Sequence, residues 1–287
     1  TDDMLIDVSL PPSSGATSVK NNYGRQESNG LEFSLWGKII QTRDWSWNIS
    51  MNGLHSKTTI KEISDALKRM NEENGSKNTE TSPRLQYREN ESPTAIYAVR
   101  SAGIDPASGK EIFIKADGSY TYEYDSADQV ACGDTNPTLQ GTISSLLTWK
   151  NLSLNLNFSY RFGGDMYNST RMAKVENVDP KNNVDLRAFT DRWRKPGDVV
   201  SYLGISTDGG KTFAYSDRFV EKDNELWLSS VTLQYNVPQT WLNNIGLQRM
   251  YVSAGAEDLF RITSAKYERG TSYPFSRSVN LSVSLTF

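Results

Sequence analysis

The sequence has very few of the residues that build metal and nucleophile sites. Its 287 residues include one cysteine, Cys132, and one histidine, His55. A single cysteine cannot form a disulfide within the chain, and one histidine with one distant cysteine is a poor transition-metal site. A catalytic triad would depend on His55 alone, which ends an alternating segment and is more simply interpreted as a polar residue at a strand end. We therefore expect neither an enzyme nor a bound metal or cofactor.

Basic charge and long apolar runs are lacking too. The formal net charge is −3, which argues against a nucleic-acid partner, because phosphates call for a basic surface. No stretch approaches the roughly 20 apolar residues of a membrane helix. The mean hydropathy of −0.58 suits a soluble protein, but also a β-barrel, in which only every second strand residue faces lipid. The sequence opens without a signal peptide, which favours a fragment or a processed piece.

What the sequence does contain is a period of two. One face of each segment is apolar and the other carries serine, asparagine and threonine. Two segments show this most clearly, 151–162 and 278–287. About eight segments follow the pattern and predict strands: 5–10, 31–39, 45–52, 137–149, 151–162, 226–235, 247–255 and 278–287. The side chains predicted to face lipid are Leu152, Leu154, Leu156, Phe158, Val279, Leu281, Val283, Leu285 and Phe287.

The lengths of the connections alternate as well. Thr42-Arg43-Asp44 and Lys150-Asn151 are tight turns, and the connection at 237–245 is modest. The connections at 11–27, 59–136, 164–221 and 259–276 are long. Short turns at one rim and long loops at the other are typical of an outer-membrane barrel with periplasmic turns and extracellular loops. The pattern predicts an antiparallel transmembrane β-barrel. The alternative is a soluble, surface-displayed β-sandwich that binds carbohydrate.

The long loops have patterns of their own. A helix is predicted over 60–73 with Ser64 as its cap, a hairpin over 111–124 about Asp117-Gly118, and a second short helix over 184–194. The loop aspartates are typical of turns. Aromatic side chains in the loops are candidates for contact with a substrate or a lid, because such sites combine apolar surface with a few polar groups. They are Tyr167, Phe189, Trp193, Tyr202, Tyr215, Tyr267 and Tyr273. The alternative is that these rings pack the loops against each other.

Several motifs in this order resemble the C-terminal part of SusC-like TonB-dependent transporters of Bacteroidetes (the RagA/SusC family). They cover nearly the whole chain, and one departure is Asp258-Leu259-Phe260, where the family often has Asn-Leu-Phe. The motifs are Asn21-Asn22-Tyr23-Gly24 with Ser28-Asn29-Gly30-Leu31-Glu32, then 103–111, 133–141, Arg192-Trp193-Arg194-Lys195-Pro196-Gly197-Asp198, 220–229, and 273–279 running on to Phe287.

The resemblance implies that residues 1–287 supply the C-terminal eight or so strands of a barrel of about 22 strands. The plug domain and the N-terminal strands would lie outside this chain. It further implies active nutrient uptake across the bacterial outer membrane, of glycans or peptides. The partners would be a SusD-like surface lipoprotein as a lid, TonB acting through the plug, and outer-membrane lipid. The terminal Phe287 resembles the signal that the outer-membrane assembly machinery reads.

Overall fold

A computed structural model describes residues 5–9, 15, 18–22, 24–76, 82–178, 185–205, 214–243, 246–265 and 277–287. Strands dominate this part of the chain. They are β1 (Leu5–Ser9), β2 (Ser18–Asn22), β3 (Gly24–Gln41), β4 (Trp45–Ile63), β5 (Ala95–Ile104), β6 (Glu111–Ile114), β7 (Tyr120–Thr121), β8 (Gln129–Asp134), β9 (Leu139–Trp149), β10 (Leu152–Tyr167), β11 (Val220–Asn236), β12 (Arg249–Glu257), β13 (Arg261–Thr263) and β14 (Ser278–Thr286).

Helices are few and short in the described residues. They are α1 (Asp65–Ser76), α2 (Ser169–Arg171), α3 (Arg187–Thr190) and α4 (Gln239–Leu242), with a π-helical turn at Met172–Glu176 and 3-10 turns at Ser126–Asp128 and Asp217–Phe219. Within this part of the chain, no helix is long and apolar enough to cross a membrane.

The chain forms two compact units, which we call the sheet unit and the loop unit. The sheet unit comprises Gly30–Ser56, Pro137–Gly163 and Asp223–Phe287. The loop unit comprises Thr1–Asn29, Lys57–Asn136 and Gly164–Lys222.

One antiparallel sheet of eight strands organises the sheet unit. The strand order is β14-β12-β11-β10-β9-β4-β3, and the short β13 lies beside β11. The described sheet is open, with β3 and β14 at its edges. The predicted strand at Leu5 is not part of it, because β1 pairs with β2 in a separate two-stranded sheet. The predicted connection over 11–27 therefore contains a strand.

The register places apolar residues opposite one another. Phe158 lies opposite Ile143, and Ile143 lies opposite Met51. At the β14 edge, Val283 lies opposite Val252. Because side chains alternate between the faces of a strand, these pairings collect the apolar positions of neighbouring strands on one face of the sheet.

The other face is tied together by polar side chains. Ser144 Oγ donates to Asn157 Oδ1 at 2.6 Å, and Asn157 Nδ2 donates to Ser230 Oγ at 2.9 Å. Asn52 Nδ2 donates to Thr142 Oγ1 at 2.6 Å. These bonds cross β4, β9, β10 and β11, so the polar face has a hydrogen-bonded ladder of its own.

Two glycines leave room for an aromatic side chain on the apolar face. Gly53 lies opposite Gly141, and Gly141 lies opposite Tyr160. The Tyr160 hydroxyl donates to the Asn52 carbonyl oxygen at 2.8 Å. A Cβ on Gly141 would lie 2.0 Å from that carbonyl oxygen and 2.8 Å from the Tyr160 hydroxyl oxygen. A Cβ on Gly53 would lie 2.4 Å from the Phe33 ring and 2.9 Å from the Tyr160 hydroxyl oxygen, so no side chain larger than hydrogen fits at either position.

The loop unit contains a four-stranded sheet in the order β7-β6-β5-β8. The predicted hairpin is confirmed: β6 pairs with β7, and Gly118 takes a φ of +86° at its turn. Sequence patterning missed β5 and β8. Ala95–Ile104 opens with five consecutive buried residues, and a continuous apolar run of this length does not distinguish a strand from a buried helix.

Two element boundaries differ from prediction. β4 continues through His55 to Ile63, so His55 is not at a strand end and the predicted helix start at Ile60 is wrong. Helix α1 begins at Asp65, and Ser64 Oγ accepts a hydrogen bond from the Leu67 amide at 3.3 Å. The cap is therefore the predicted one. The second predicted helix, over 184–194, is a single turn at Arg187–Thr190 in the described residues.

We expect Gly141→Ala to destabilise the folded protein by about 1–3 kcal/mol, the usual cost of overpacking. Gly37→Ala is the matched control, because its Cβ would meet only the Ile39 side chain, at 3.7 Å. The measurement is the temperature at which the full-length protein in detergent loses its heat-modifiable migration on gels. Equal midpoints for the two variants would contradict the close packing of Gly141 against the Asn52 carbonyl and the Tyr160 hydroxyl.

Candidate functional site

The loop unit has its own hydrophobic core. The core residues come from three stretches of chain, and Tyr167 and Val178 pack against them. The buried members are Met172, Val175, Ala188, Tyr202, Tyr215 and Phe219. The Tyr167 ring meets the Tyr215 ring edge-on at 6.4 Å and the tilted Phe219 ring at 5.9 Å.

A buried arginine, Arg192, holds the irregular chain around this core. Its guanidinium donates to the carbonyl oxygens of Ala188 at 2.9 Å, Leu203 at 2.8 Å and Glu176 at 2.9 Å, and also to that of Val175. Carbonyls beside a π-helical turn and at the ends of short helices lack regular partners. Here the Arg192 side chain supplies the hydrogen-bond donors for these carbonyls.

A second arginine, Arg218, is largely buried and joins two carboxylates. It binds Glu111 through two nitrogens at 2.8 and 2.7 Å, and its Nη2 lies 3.6 Å from Glu176 Oε1. Its Nη1 donates to the Ser201 carbonyl oxygen at 2.6 Å. Burial disfavours the charged guanidinium, but the Glu111 and Glu176 carboxylates outweigh this and raise the pKa of Arg218.

Of the two carboxylates, Glu176 interacts less closely with Arg218 than Glu111 does. Burial raises the pKa of its carboxyl, and the charge of Arg218 offsets this only in part. Its Oε1 accepts a bond from the Leu203 amide at 3.3 Å. Its Oε2 is buried and has no hydrogen-bond partner among the described residues, so the ionised form is poorly satisfied.

Two clefts open beside Trp193. The first has a volume of about 330 Å³, and the residues that shape it are Lys110, Phe113, Tyr122, Trp193, Leu203 and Ile205. The second has a volume of about 270 Å³ and is lined by Phe189, Arg194 and others, with Trp193 and Ile205 again in its wall. The Trp193 indole therefore forms part of the wall of both clefts.

Trp193 is fixed in this position. Its indole N–H donates to the Pro106 carbonyl oxygen at 3.0 Å, and its backbone amide donates to the Tyr202 carbonyl oxygen at 3.1 Å. Gly109 lies directly against the ring, because a Cβ there would come within 2.4 Å of it. Gly109 also has a φ of +70°, so both the backbone and the indole require glycine.

The candidate contact residues fall into three groups. Tyr202 is 4% exposed and Tyr215 is 0% exposed, and with Tyr167 they belong to the core, as the packing alternative expected. Phe189 and Trp193 line the clefts. Tyr267 and Tyr273 lie outside the described residues.

Of the six residues that shape the first cleft, five were not singled out from the sequence as contact residues, namely Lys110, Phe113, Tyr122, Leu203 and Ile205. The predicted hairpin about Asp117-Gly118 brings Lys110 and Tyr122 near each other, with Lys110 Nζ 6.0 Å from the centre of the Tyr122 ring. No local pattern indicates that Trp193, far along the chain, meets them.

The loop aspartates behave as turn residues. Asp105 accepts from the Ala107 amide at 3.0 Å, and Asp117 accepts from the Ser119 amide at 2.8 Å. Asp125 accepts from the Ala127 amide at 2.9 Å. In the described residues, no group of histidine, cysteine, aspartate and glutamate side chains could hold a metal ion.

The residues predicted to face lipid share the apolar face of the sheet. The register places Leu152 opposite Trp149 and Leu154 opposite Leu147, while Val279 lies opposite Ala256 and Leu281 opposite Ala254. At the β14 edge, Val279, Leu281 and Phe287 are 79%, 74% and 81% exposed. That they meet lipid remains a prediction.

Comparison with known proteins gives relatives of one kind. TonB-dependent receptor P3 of Formosa agariphila is 24% identical over 88% of this chain and 26% of its own length. TonB-dependent receptor P39 of the same organism is 22% identical over 92% of this chain and 29% of its own length. The solved structure of the RagAB peptide transporter covers the whole chain and 32% of its own, with 24% identity and a TM-score of 0.75. No family model matches.

The predicted resemblance to SusC-like TonB-dependent receptors is confirmed. The fold prediction is confirmed for an antiparallel all-β chain similar in fold to TonB-dependent barrels. Closure of the sheet into a barrel is not seen in the described residues. The chain is an outer-membrane protein, and its relatives are receptors and transporters, not enzymes. It spans about a quarter to a third of the length of the curated relatives that it matches.

We expect the loop unit to lose stability as the pH rises through the folded pKa of Glu176. Its pKa in the folded protein is raised above the ordinary 4.5. The stability that this carboxyl contributes is therefore fully present below pH 4.5 and is lost as the pH rises through the folded pKa. Glu176→Gln should remove this dependence. The measurement is hydrogen exchange of the Leu203 amide in the full-length protein at about pH 5 and about pH 8, corrected for intrinsic rates.

Glu111→Gln is the contrasting variant, since it deprives the largely buried Arg218 of its two-point partner. It should cost on the order of 3 kcal/mol. If both variants weaken protection of the Leu203 amide equally at pH 8, the ionised Glu176 carboxylate does not destabilise the loop unit, and the prediction is wrong.

Proposed function

We propose that this chain supplies barrel wall and extracellular loops to an outer-membrane importer of glycans or peptides that TonB energises. The plug domain and the other strands belong to the rest of the protein. This is consistent with the chain matching only 26% of the length of TonB-dependent receptor P3. A SusD-like lipoprotein acts as the lid over the loops. The function is nutrient uptake.

One observation carries the proposal: a single antiparallel sheet in which the register keeps apolar residues on one face from β4 to β14. In lipid every backbone polar group must be paired, which continuous strand pairing achieves. The residues named above as lipid-facing then form the outer surface. The polar ladder of Asn52, Asn157 and their partners lines the interior.

The loop unit contributes contacts to the substrate or the lid. Phe189, 40% exposed, and Trp193 are the described candidates for these contacts. Tyr267 and Tyr273 remain candidates on their predicted loop position alone.

We expect a charge on the apolar face to be far more costly than the same charge on the neighbouring polar position. Leu156→Arg should destabilise the barrel by about 2–4 kcal/mol, as arginine does near the bilayer midplane. Asn155→Arg, one residue away on the other face, is the control. The measurement is urea unfolding of the full-length protein in lipid vesicles. A larger cost for Asn155→Arg would reverse the assignment of faces.

We expect uptake to require both the protein and an energised inner membrane. Cells lacking the protein, or treated with a proton uncoupler, should fail to accumulate fluorescent oligosaccharides or oligopeptides that untreated cells take up. Accumulation that persists with the uncoupler would indicate a passive channel and would overturn the proposal.

A further inference from the structure

The first cleft beside Trp193 has walls that are set before any ligand arrives. Tyr122 is anchored by its hydroxyl, which donates to Asp105 Oδ2 at 3.0 Å. Trp193 is anchored through the Pro106 carbonyl one residue further along. Both rings are therefore fixed to the same turn. Binding between them does not incur the cost of ordering long side chains.

The polar groups of this cleft are largely occupied by the protein itself. The Tyr122 hydroxyl and the Trp193 indole N–H are used in the two anchors. Ser108 Oγ donates to Asp105 Oδ2 at 2.6 Å. The Glu111 carboxylate binds Arg218 through both oxygens. None of these side chains is left with its main hydrogen-bonding capacity for a ligand.

Lys110 is the exception. Its side chain is exposed at the cleft, and its ammonium has no carboxylate partner within the described part of the chain. The rest of the lining that is open to a ligand is apolar: Phe113, Leu203, Ile205 and the two anchored rings. The cleft therefore offers one positive charge beside an apolar surface.

We propose that this cleft binds the terminal residue of a peptide, with its apolar side chain between Tyr122 and Trp193 and its carboxylate on the Lys110 ammonium. The inference rests on the proposed function and selects peptides from its two substrate classes. A volume of about 330 Å³ is at the lower end for ligand pockets, roughly 300–1,000 Å³. It suits one residue of a longer ligand.

A sugar ring fits this chemistry less well. Each hydroxyl that enters a cleft gives up hydrogen bonds to water and needs a new partner. With Tyr122, Ser108 and Glu111 engaged elsewhere, most hydroxyls of a buried sugar would find none. An apolar side chain has no such requirement, and a carboxylate needs only the cation.

The test is calorimetric titration of the purified full-length protein with the tripeptide Gly-Gly-Leu and with its C-terminal amide. The free acid should bind about tenfold more tightly than the amide, because a bond between two charged groups is stronger than one to a neutral amide. In Lys110→Met, which keeps the stem and removes the charge, this ratio should fall to about one. Lys110 is exposed, so the variant should fold.

Lys115→Met is the matched control. Lys115 is an exposed lysine of the same hairpin that does not line the cleft, and its loss should leave the ratio unchanged. Equal binding of acid and amide by the wild type, or an unchanged ratio in Lys110→Met, would overturn the inference. So would binding of maltotriose or trigalacturonic acid in place of the tripeptide. Uncoupler-sensitive uptake by cells is measured in a separate experiment. A negative calorimetric result would therefore reject the peptide cleft without rejecting the proposed importer function.

Discussion

Pairing of backbone groups in one antiparallel register is the constraint on which the sheet unit depends. A slip of one residue would move every apolar side chain of a strand to the opposite face. Several features oppose such a slip at once. The Tyr160 hydroxyl lies against Gly53 and Gly141, where a Cβ would clash, and the Asn157 side chain reaches Ser144 and Ser230 only in this register. Packing on one face and hydrogen bonding on the other therefore specify the same alignment.

The loop unit is stabilised by different means. Its chain is irregular over long stretches, so backbone carbonyls need partners from side chains. Arg192 supplies several of them, and Arg218 joins Glu111 to Glu176. Buried charges of this kind are costly to break and weak as sources of net stability. Their effect is to fix one arrangement of segments that have little regular structure.

The sheet could be predicted from sequence because its pattern is local. Alternation in 151–162 and 278–287 identifies strands and faces without any knowledge of their partners. The strand ends could not be predicted as well, since β4 continues into a polar stretch through His55 where the alternation fades. β5 was missed for the opposite reason. Its apolar run is buried without alternating, and such a run carries no period.

The cleft could be predicted only in part. Trp193 and Phe189 were candidates because they are loop aromatics and ligand sites combine apolar surface with a few polar groups. The same rule also selected Tyr202 and Tyr215, which the core buries completely or nearly so. Ring type alone does not separate a contact residue from a core residue. The sequence did not indicate a binding role for Lys110. Whether a lysine is free to bind a ligand depends on which carboxylates lie near it in the folded protein.

The division between the two units has a consequence for specificity. Altering the sheet risks the register, since each residue of an inner strand has neighbours on both adjoining strands. The first cleft is different, because its anchors at Asp105 and Pro106 are satisfied within the loop unit and do not involve the Lys110 side chain. A change at Lys110 therefore alters the charge that a ligand meets and leaves both rings in place. In such an arrangement, ligand preference can change through one exposed side chain while the barrel wall stays the same.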